Sequence, residues 1–418
     1  MIKDAVRDDL PMFDLAEARS RTLALAADLR DDQLTVPKLE IINPILWELG
    51  HIAYFAEFWI LRHVFGTSPM IANADALYDS AKVAHDDRWS LPLPSRRETL
   101  QFLARQFDSV LARRTQSVPQ AEYFCTLALR HEDMHGEAFV YTRQVLGYPR
   151  PSYVSTPPLE GGPLPGDARV RGGCFVMGSL PDDGFVFDNE KWAHEVDIKS
   201  FEIARAPVTN AEFAAFIADG GYGKRRYWTE AGWTWLQTQR IEQPAYWNAG
   251  NTTRRAFDRE IALRDHEPVC NVSKFEADAY CAWAGRRLPT EAEWEIAATG
   301  GEHQRYPWGE GPISPEHANL DGIRGGPCDV GALAIGDSVV GCRQMIGNVW
   351  EWTSSAFEPY PGFVVDPYAE YSQPWFGSHY VLRGGAWTTR RRLISTRWRN
   401  FYRPHRRDVM TGFRTVKL

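Results

Sequence analysis

The first 147 residues repeat apolar positions every three to four residues, the spacing of amphipathic helices. This pattern predicts a first helix from about Asp8 to Leu29. It predicts a second helix that starts at Asn43 and Pro44 and continues as "ILWELGHIAYFAEFWILRHVFG". Asparagine is a good N-cap residue and proline suits the first helical position, so we expect Asn43 to cap this helix.

Two further helices complete the predicted helical half. Ser95 and Glu98 have the spacing of a capping box, which predicts a helix start before "TLQFLARQFDSVLARR". A fourth helix is predicted from about Gln120 to Leu146, ending at Gly147. Four amphipathic helices of this length indicate a four-helix bundle.

After Gly147 the pattern changes. The segment "PSYVSTPPLEGGPLPG" is rich in proline and indicates an extended connector. Beyond it the apolar runs are short, glycine and tryptophan are frequent, and three helix starts carry capping-box pairs: Thr209 with Glu212, Ser273 with Glu276, and Thr290 with Glu293. We predict a multidomain α and α+β protein with a helical bundle at residues 1–150, a linker at 151–167 and an irregular domain at 168–418.

Composition narrows the class of protein. Hydrophobic residues make up 44% of the chain and charged residues 24%, and the net charge of -7 argues against nucleic-acid binding. No apolar stretch has the length of a membrane span, and "MIKDAVRDDLPMFD" lacks the features of a signal peptide. The six cysteines form no C-x-x-C pair, which suggests reduced thiols. We therefore predict a cytoplasmic protein without membrane or nucleic-acid partners; the oligomeric state stays open.

A pair of histidines in "LRHEDMHGE" gives the first chemical indication. His131 and His135 are four positions apart, so on a helix both imidazoles lie on one face and can reach one ion. His51 lies on an aromatic face of the second predicted helix, whereas His63 is turned away from it. Glu132 and Asp133, between the first two histidines, are most simply solvated.

The three histidines have two interpretations. Each could be a core residue that hydrogen-bonds a backbone carbonyl. Together, from two helices of one bundle, they could hold a metal, and three neutral imidazoles suit Fe, Zn, Cu or Ni. Ligand chemistry alone does not separate iron from zinc. Without a fourth protein ligand the ion would keep open coordination positions, as catalytic sites do.

Four motifs follow one another in the second half: "RGGCFVMGS", "RRLPTEAEWEIAA", "GNVWEWTSS" and "VLRGGAW". In this order they resemble the formylglycine-generating-enzyme (sulfatase-modifying-factor) fold, an irregular C-type-lectin-like domain, over about Ala168 to Leu418. The oxidases of that family hold copper with a cysteine pair near the C-terminus. No cysteine follows Arg383 here, so their activity is not expected.

The first half resembles DinB-type bundles, which use a three-histidine metal site. A DinB-type bundle followed by this lectin-like domain is the architecture of the ergothioneine-pathway sulfoxide synthases. The resemblance implies that His51, His131 and His135 bind Fe(II). It also implies an O2-dependent attachment of sulfur to imidazole C2 of hercynine, so that hercynine, a chalcogen donor and O2 are the small-molecule partners.

Several positions that match substrate contacts in the sulfoxide synthases differ here. Asn400 matches a residue that contacts the hercynine imidazole, Phe401 stands in place of a tryptophan, and Met134 in place of a hercynine-contacting glutamine. Tyr402 replaces an aspartate that helps to bind γ-glutamylcysteine, while Arg406 matches a donor-binding arginine. A γ-glutamylcysteine donor is therefore not expected.

The loop "AKVAHDDRW" resembles the selenoneine synthase branch, whose members join hercynine to a selenosugar. On this basis we predict C–Se bond formation, with His85 and Arg88 as donor contacts and Tyr368 or Tyr371 as candidate proton donors. A hercynine sulfoxide synthase that uses cysteine or another thiol is the alternative. A DinB-type zinc thiol enzyme and a plain binding module are further hypotheses.

Overall fold

The computed structural model describes residues 11–116, 118–153 and 156–418. The chain divides into two compact units, Met1–Thr142 and Arg143–Leu418. Residues 8–10 of the first predicted helix, and residues 154 and 155 of the predicted linker, lie outside the described residues. The predicted domain boundary at 151–167 stays a prediction.

The first unit is helical, as predicted. Four long helices correspond to the four amphipathic segments, and the second of them continues in π-helical geometry over Glu57–Val64. The helices are α1 Met12–Ala26, α2 Asp31–Thr35, α3 Ile45–Ala56, α4 Ala74–Tyr78, α5 Arg96–Leu111 and α6 Ala121–Leu146. A short 3-10 turn, His85–Trp89, lies between α4 and α5.

The helix starts confirm one capping prediction and correct another. Ser95 and Glu98 form the predicted capping box at the start of α5. The prediction for Asn43 was wrong, because α3 begins at Ile45 and Pro44 is its N-cap residue, with no side-chain cap. The Asn43 amide donates a hydrogen bond to the Glu48 side chain in the first turn of the helix, with 2.9 Å to Oε1. Among the described residues, the Asn43 side chain accepts no hydrogen bond from the free backbone N–H groups at the helix start.

The two acids between the histidines of α6 are not solvated, contrary to the prediction. Glu132 and Asp133 are each only 3% exposed. The Arg19 guanidinium of α1 donates to both oxygens of Glu132, at 2.9 and 3.2 Å, and also to the backbone carbonyl of Leu103 in α5. Helix α6 therefore buries polar residues as well as apolar ones, and an internal ion pair joins α1 to α6.

The second unit mixes short helices and strands, as predicted. Its helices are α7 Asn210–Ala218, α8 Glu230–Gln239, α9 Lys274–Ala284 and α10 Glu291–Thr299. Its strands are β1 Asp167–Val170, β2 Gly173–Met177, β3 His194–Ile198, β4 Phe201–Ala204, β5 Thr253–Ala256, β6 Arg259–Ala262, β7 Arg286–Arg287, β8 Trp350–Ala356, β9 Tyr380–Arg383, β10 Asn400–Tyr402, β11 Thr411–Gly412 and β12 Val416–Lys417. The capping boxes predicted at Thr209, Ser273 and Thr290 are all present.

Two four-stranded sheets organise this unit, with strand orders β1-β4-β12-β7 and β10-β9-β8-β11. The pairs are antiparallel except for β8 and β11. Two hairpins, β2-β3 and β5-β6, add small sheets. Helix α10 packs Trp294 and Ile296 onto β1, β4 and β12, which forms the core around Ile203 and Val416.

Buried arginine–glutamate pairs link the sequence motifs. Arg414 donates to both oxygens of Glu351, at 2.6 and 2.7 Å, and Arg383 is hydrogen-bonded to Glu295. Both arginine side chains are fully buried, so each needs its carboxylate partner. Three of these four charged residues, Glu295, Glu351 and Arg383, belong to the sequence motifs, which therefore supply buried polar contacts within the fold. Among the helices in the described part of the chain, none is long and apolar enough to cross a membrane.

The Arg19–Glu132 pair can be tested by removing the cation. Arg19→Met leaves the Glu132 carboxylate buried without its partner, and we expect a loss of about 3–5 kcal/mol in the free energy of unfolding. Urea denaturation followed by circular dichroism measures this loss. Arg30→Met, which removes an exposed pair with Asp32, is the control and should leave the denaturation midpoint unchanged. An Arg19→Met midpoint equal to that of the control would contradict the assignment.

Candidate metal centre

Two helices bring three histidines to one point in the first unit. His51 comes from α3, and His131 and His135 come from successive turns of α6. One ring nitrogen of each lies within 4.8 Å of the other two. His51 Nε2 and His131 Nε2 are 3.2 Å apart, and both side chains are 3% exposed, while His135 is half-buried.

The orientation of the His51 ring is fixed from the side opposite the cluster. Its Nδ1 donates a hydrogen bond to the backbone carbonyl of Tyr78 at 2.7 Å. A carbonyl only accepts, so the ring proton is on Nδ1 and the Nε2 lone pair faces His131. The indole of Trp47 stacks on the same ring, with centroids 4.7 Å apart. This is the hydrogen-bonding pattern of a metal-ligating histidine.

The other buried ring, that of His131, is held by stacking. Phe55 lies parallel to it, with ring centroids 3.6 Å apart. Burial lowers the pKa of both His51 and His131 well below the usual value, and electrostatic interaction with the neighbouring imidazole of His135 lowers both further. Both imidazoles are therefore neutral at pH 7, which is the form that binds a metal.

The nitrogen positions fit a bound cation. Ligands about 2.1 Å from one ion, in neighbouring coordination positions, are about 3 Å apart. The 3.2 Å between His51 Nε2 and His131 Nε2 is close to this value. Three neutral imidazoles are a donor set for Fe, Zn, Cu or Ni, so the residues present fit an ion of this group.

Sequence reasoning missed Gly50 and Tyr78. The ring of Tyr78 packs directly against the Cα of Gly50, where any Cβ would overlap it. This close approach puts the Tyr78 carbonyl against the ring of His51, one residue further along α3. A glycine inside a predicted helix, next to a candidate ligand, was the available signal.

The remaining predicted residues of the first unit are Met134, His85 and Arg88. Met134 is half-buried on α6, directly before His135. His85 Nε2 donates to the Ile42 carbonyl at 2.8 Å. Arg88 donates to Asn43 Oδ1 at 2.6 Å, and its guanidinium lies 4.0 Å from the centroid of a Trp47 ring. Arg88 thus has partners within the protein, and the donor contacts proposed for His85 and Arg88 stay predictions.

In the second unit, the predicted hercynine and proton-donor residues share an aromatic cluster. Phe401, on β10 next to Asn400, has its ring centroid 5.9 Å from that of Tyr371, which in turn lies 5.9 Å from Tyr368. Burial raises the pKa of Tyr371 well above its usual value, so its hydroxyl keeps the proton at neutral pH. Asn400 Oδ1 accepts from the Phe401 N–H at 2.8 Å.

Tyr402 and Arg406, which we predicted to bind the chalcogen donor, are in contact with each other. The Arg406 guanidinium lies 5.1 Å from the centroid of the Tyr402 ring. Its Nε and Nη2 each donate to one oxygen of Asp408, both at 2.6 Å. This bidentate pair takes up the Nε–Nη2 edge of the guanidinium.

Two domain families match the chain. Residues 14–137 match the DinB superfamily, and residues 155–418 match the sulfatase-modifying factor enzyme 1-like domain. The formylglycine-generating enzyme of Mycobacterium tuberculosis is 38% identical over 234 residues, which cover 47% of this chain and 76% of that protein. Fold and matches together define a protein that joins a DinB-type helical unit to a sulfatase-modifying-factor-type unit.

Relatives that match nearly the whole chain narrow this class. The hercynine oxygenase of Mycobacterium tuberculosis is 38% identical over 411 residues, 96% of each chain. The hercynine oxygenase of Mycolicibacterium thermoresistibile is 39% identical over 419 residues, which cover 96% of this chain and 93% of that protein. The chain therefore belongs to the hercynine oxygenase family.

The contact between Gly50 and Tyr78 predicts that a methyl group at position 50 disturbs the centre. Gly50→Ala must displace the Tyr78 ring, and with it the carbonyl that orients His51. We expect the dissociation constant for Co2+ to rise at least about tenfold, measured by chelator competition. Gly136→Ala is the matched control, because it also neighbours a histidine of the cluster but its Cβ meets only Leu25 Cδ1, at 3.7 Å. Equal affinities for the two variants would refute the role of Tyr78.

Proposed function

We propose that this chain is an Fe(II)-dependent, O2-using enzyme that attaches a chalcogen atom, sulfur or selenium, to C2 of the hercynine imidazole. The observation that carries the proposal is the convergence of three histidine nitrogens within 4.8 Å in a chain whose near-full-length relatives are named hercynine oxygenase. The chemistry agrees with this site, because imidazole C2–H is unreactive and its substitution needs an oxidant.

The overall reaction balances with one O2. For a thiol donor, the imidazole C–H and the S–H bonds are broken, a C–S bond forms, and the product is a sulfoxide with release of one water. A ferrous ion held by His51, His131 and His135 would supply the activation of O2. Burial keeps His51 and His131 neutral, and the Tyr78 carbonyl orients His51. The packed rings of Trp47 and Phe55 keep water from one side of the centre.

Two donor classes compete for the second substrate. The similarity to hercynine oxygenases supports the sulfur reaction of ergothioneine synthesis. The loop "AKVAHDDRW" and the donor-end residues support a selenosugar, which has no glutamyl carboxylate to bind. The pairing of Arg406 with Asp408 also supports a donor without that carboxylate, since the Nε–Nη2 edge of the guanidinium already has a partner within the protein.

Iron dependence and oxygen dependence can be measured together. Protein reconstituted with Fe(II) under anaerobic conditions should consume O2 only when hercynine and a donor are both present. His51→Ala should fall to the rate of metal-free protein, because one of three ligands is lost. His63→Ala is the matched control: its ring packs on Trp59 and Phe124, outside the cluster, and it should retain wild-type turnover. Turnover without O2, supported by zinc, would favour a DinB-type zinc thiol enzyme and overturn the proposal.

Parallel reactions with cysteine, γ-glutamylcysteine and selenoglucose identify the donor. We expect γ-glutamylcysteine to have a kcat/KM at least about tenfold below that of the best donor, because Tyr402 replaces the aspartate that helps to bind it and Asp408 takes one edge of the Arg406 guanidinium. Mass spectrometry of the products distinguishes the remaining two. A selenium adduct as the main product supports the selenoneine reaction, and a sulfoxide from cysteine supports the ergothioneine-type reaction. Preference for γ-glutamylcysteine would contradict the role given to the Arg406–Asp408 pair.

A further inference from the structure

A buried carboxylate lies against the third histidine of the cluster. Glu48 is one turn before His51 on α3 and is 1% exposed. Its Oε1 is 3.8 Å from His135 Nδ1. In the described part of the chain, neither His135 Nδ1 nor Glu48 Oε2 has a hydrogen-bond partner, although both atoms are shielded from solvent. His135 Nδ1 thus lies next to the carboxylate that has one oxygen still without a partner, and its 3.8 Å distance to Oε1 is somewhat beyond the 2.7–3.2 Å typical of an N–H···O hydrogen bond.

A chain of hydrogen bonds positions this carboxylate. Arg88 donates to Asn43 Oδ1 at 2.6 Å, and Asn43 Nδ2 donates to Glu48 Oε1 at 2.9 Å. The amide orientation follows from the chemistry, because a guanidinium only donates and a carboxylate only accepts. Arg88 also lies over Trp47, which stacks on His51. The same arginine is therefore linked to two of the three candidate ligands.

Charge supplies the reason for a carboxylate here. Burying an ionised carboxylate is costly unless a cation compensates it. Three neutral imidazoles would not compensate it, whereas a divalent ion among them would. We propose that Glu48 is an outer-sphere positioning residue of the metal centre. It accepts the Nδ1 proton of His135 when an ion is bound, leaves Nε2 as the ligand atom, and brings a negative charge next to a centre whose protein ligands are all neutral.

The inference deepens the proposed function, since it rests on the metal centre assigned there. It gives one histidine of each helix a hydrogen-bond acceptor on the side of the ring that faces away from the ion. His51 has a backbone carbonyl as its outer acceptor, at 2.7 Å, and His135 has a side-chain carboxylate. The carboxylate is the stronger acceptor and makes its imidazole the more electron-rich ligand.

Metal binding without substrates tests the inference. Co2+ is titrated into the metal-free full-length protein, with a competing chelator and visible absorption as readouts. Glu48→Gln keeps the shape of the side chain but removes the charge, and we expect the dissociation constant to rise about 10- to 100-fold and the Co2+ absorption bands to shift. Glu48→Asp, which keeps the charge, should recover part of the affinity.

The chain offers a matched control in Glu57, on the π-helical continuation of α3. It too is fully buried, with one oxygen accepting from the Met70 N–H at 2.7 Å and the other without a partner among the described residues, yet it is not part of the cluster. Glu57→Gln should leave the Co2+ dissociation constant within about twofold of wild type. Equal effects of the two substitutions would mean that Glu48 is merely structural.

Further variants separate the possible failures. If wild type binds one Co2+ and His51→Ala loses it, but Glu48→Gln binds as wild type does, the outer-sphere role is wrong and the metal centre stands. If His51→Ala binds Co2+ as tightly as wild type, the metal centre itself is wrong and the role of Glu48 falls with it. Should Glu48→Gln not fold, Asn43→Ala provides the test, because the half-buried Asn43 holds the Glu48 carboxylate in place. We expect this variant to bind Co2+ roughly three- to tenfold more weakly than wild type. Unchanged binding would overturn the proposal.

Discussion

The proposed chemistry depends on one constraint: two helices must hold three imidazole rings at a single point while each ring keeps its lone pair inward. Spacing along α6 supplies two of these rings, since positions 131 and 135 are one turn apart. The third ring needs a tertiary contact, and the hydrogen bond from His51 Nδ1 to the Tyr78 carbonyl at 2.7 Å provides it. Gly50 makes the contact possible, because only glycine leaves room for the Tyr78 ring.

The local parts of this structure were predictable from the sequence. Capping boxes and helix periods depend on residues three or four positions apart, so the start of α5 and the three capping boxes of the second unit were predicted correctly. The burial of Glu132 was missed because its partner, Arg19, lies 113 positions away. The partners of the Asn43 side chain were missed for a related reason: its Oδ1 accepts from Arg88, 45 positions away, and not from a helix N–H, while its amide donates to Glu48.

In the second unit, the residues that identify the family are not the residues expected to select the substrate. Its most recognisable motifs supply residues that pair internally, such as Glu351 with Arg414 and Glu295 with Arg383. These residues identify the family because they build its core, and a core of this kind is compatible with many reactions. Specificity must then lie in the residues that vary at the surface of that core. Tyr402, which we predicted to replace an aspartate of the sulfoxide synthases, is of this type, and the Asp408 partner of Arg406 is a contact that no motif indicated.

The charge balance of the first unit connects the fold to the choice of donor. Three neutral ligands leave a divalent ion with its full charge, which favours an anionic thiolate or selenolate as a further ligand. A carboxylate as a direct ligand would neutralise part of that charge and occupy a coordination position. Glu48, behind His135 at 3.8 Å, offers a negative charge at longer range and takes up no such position. In the proposed reaction, an outer-sphere carboxylate would favour retention of the ion without taking a coordination position that the imidazole, the chalcogen donor or O2 would need.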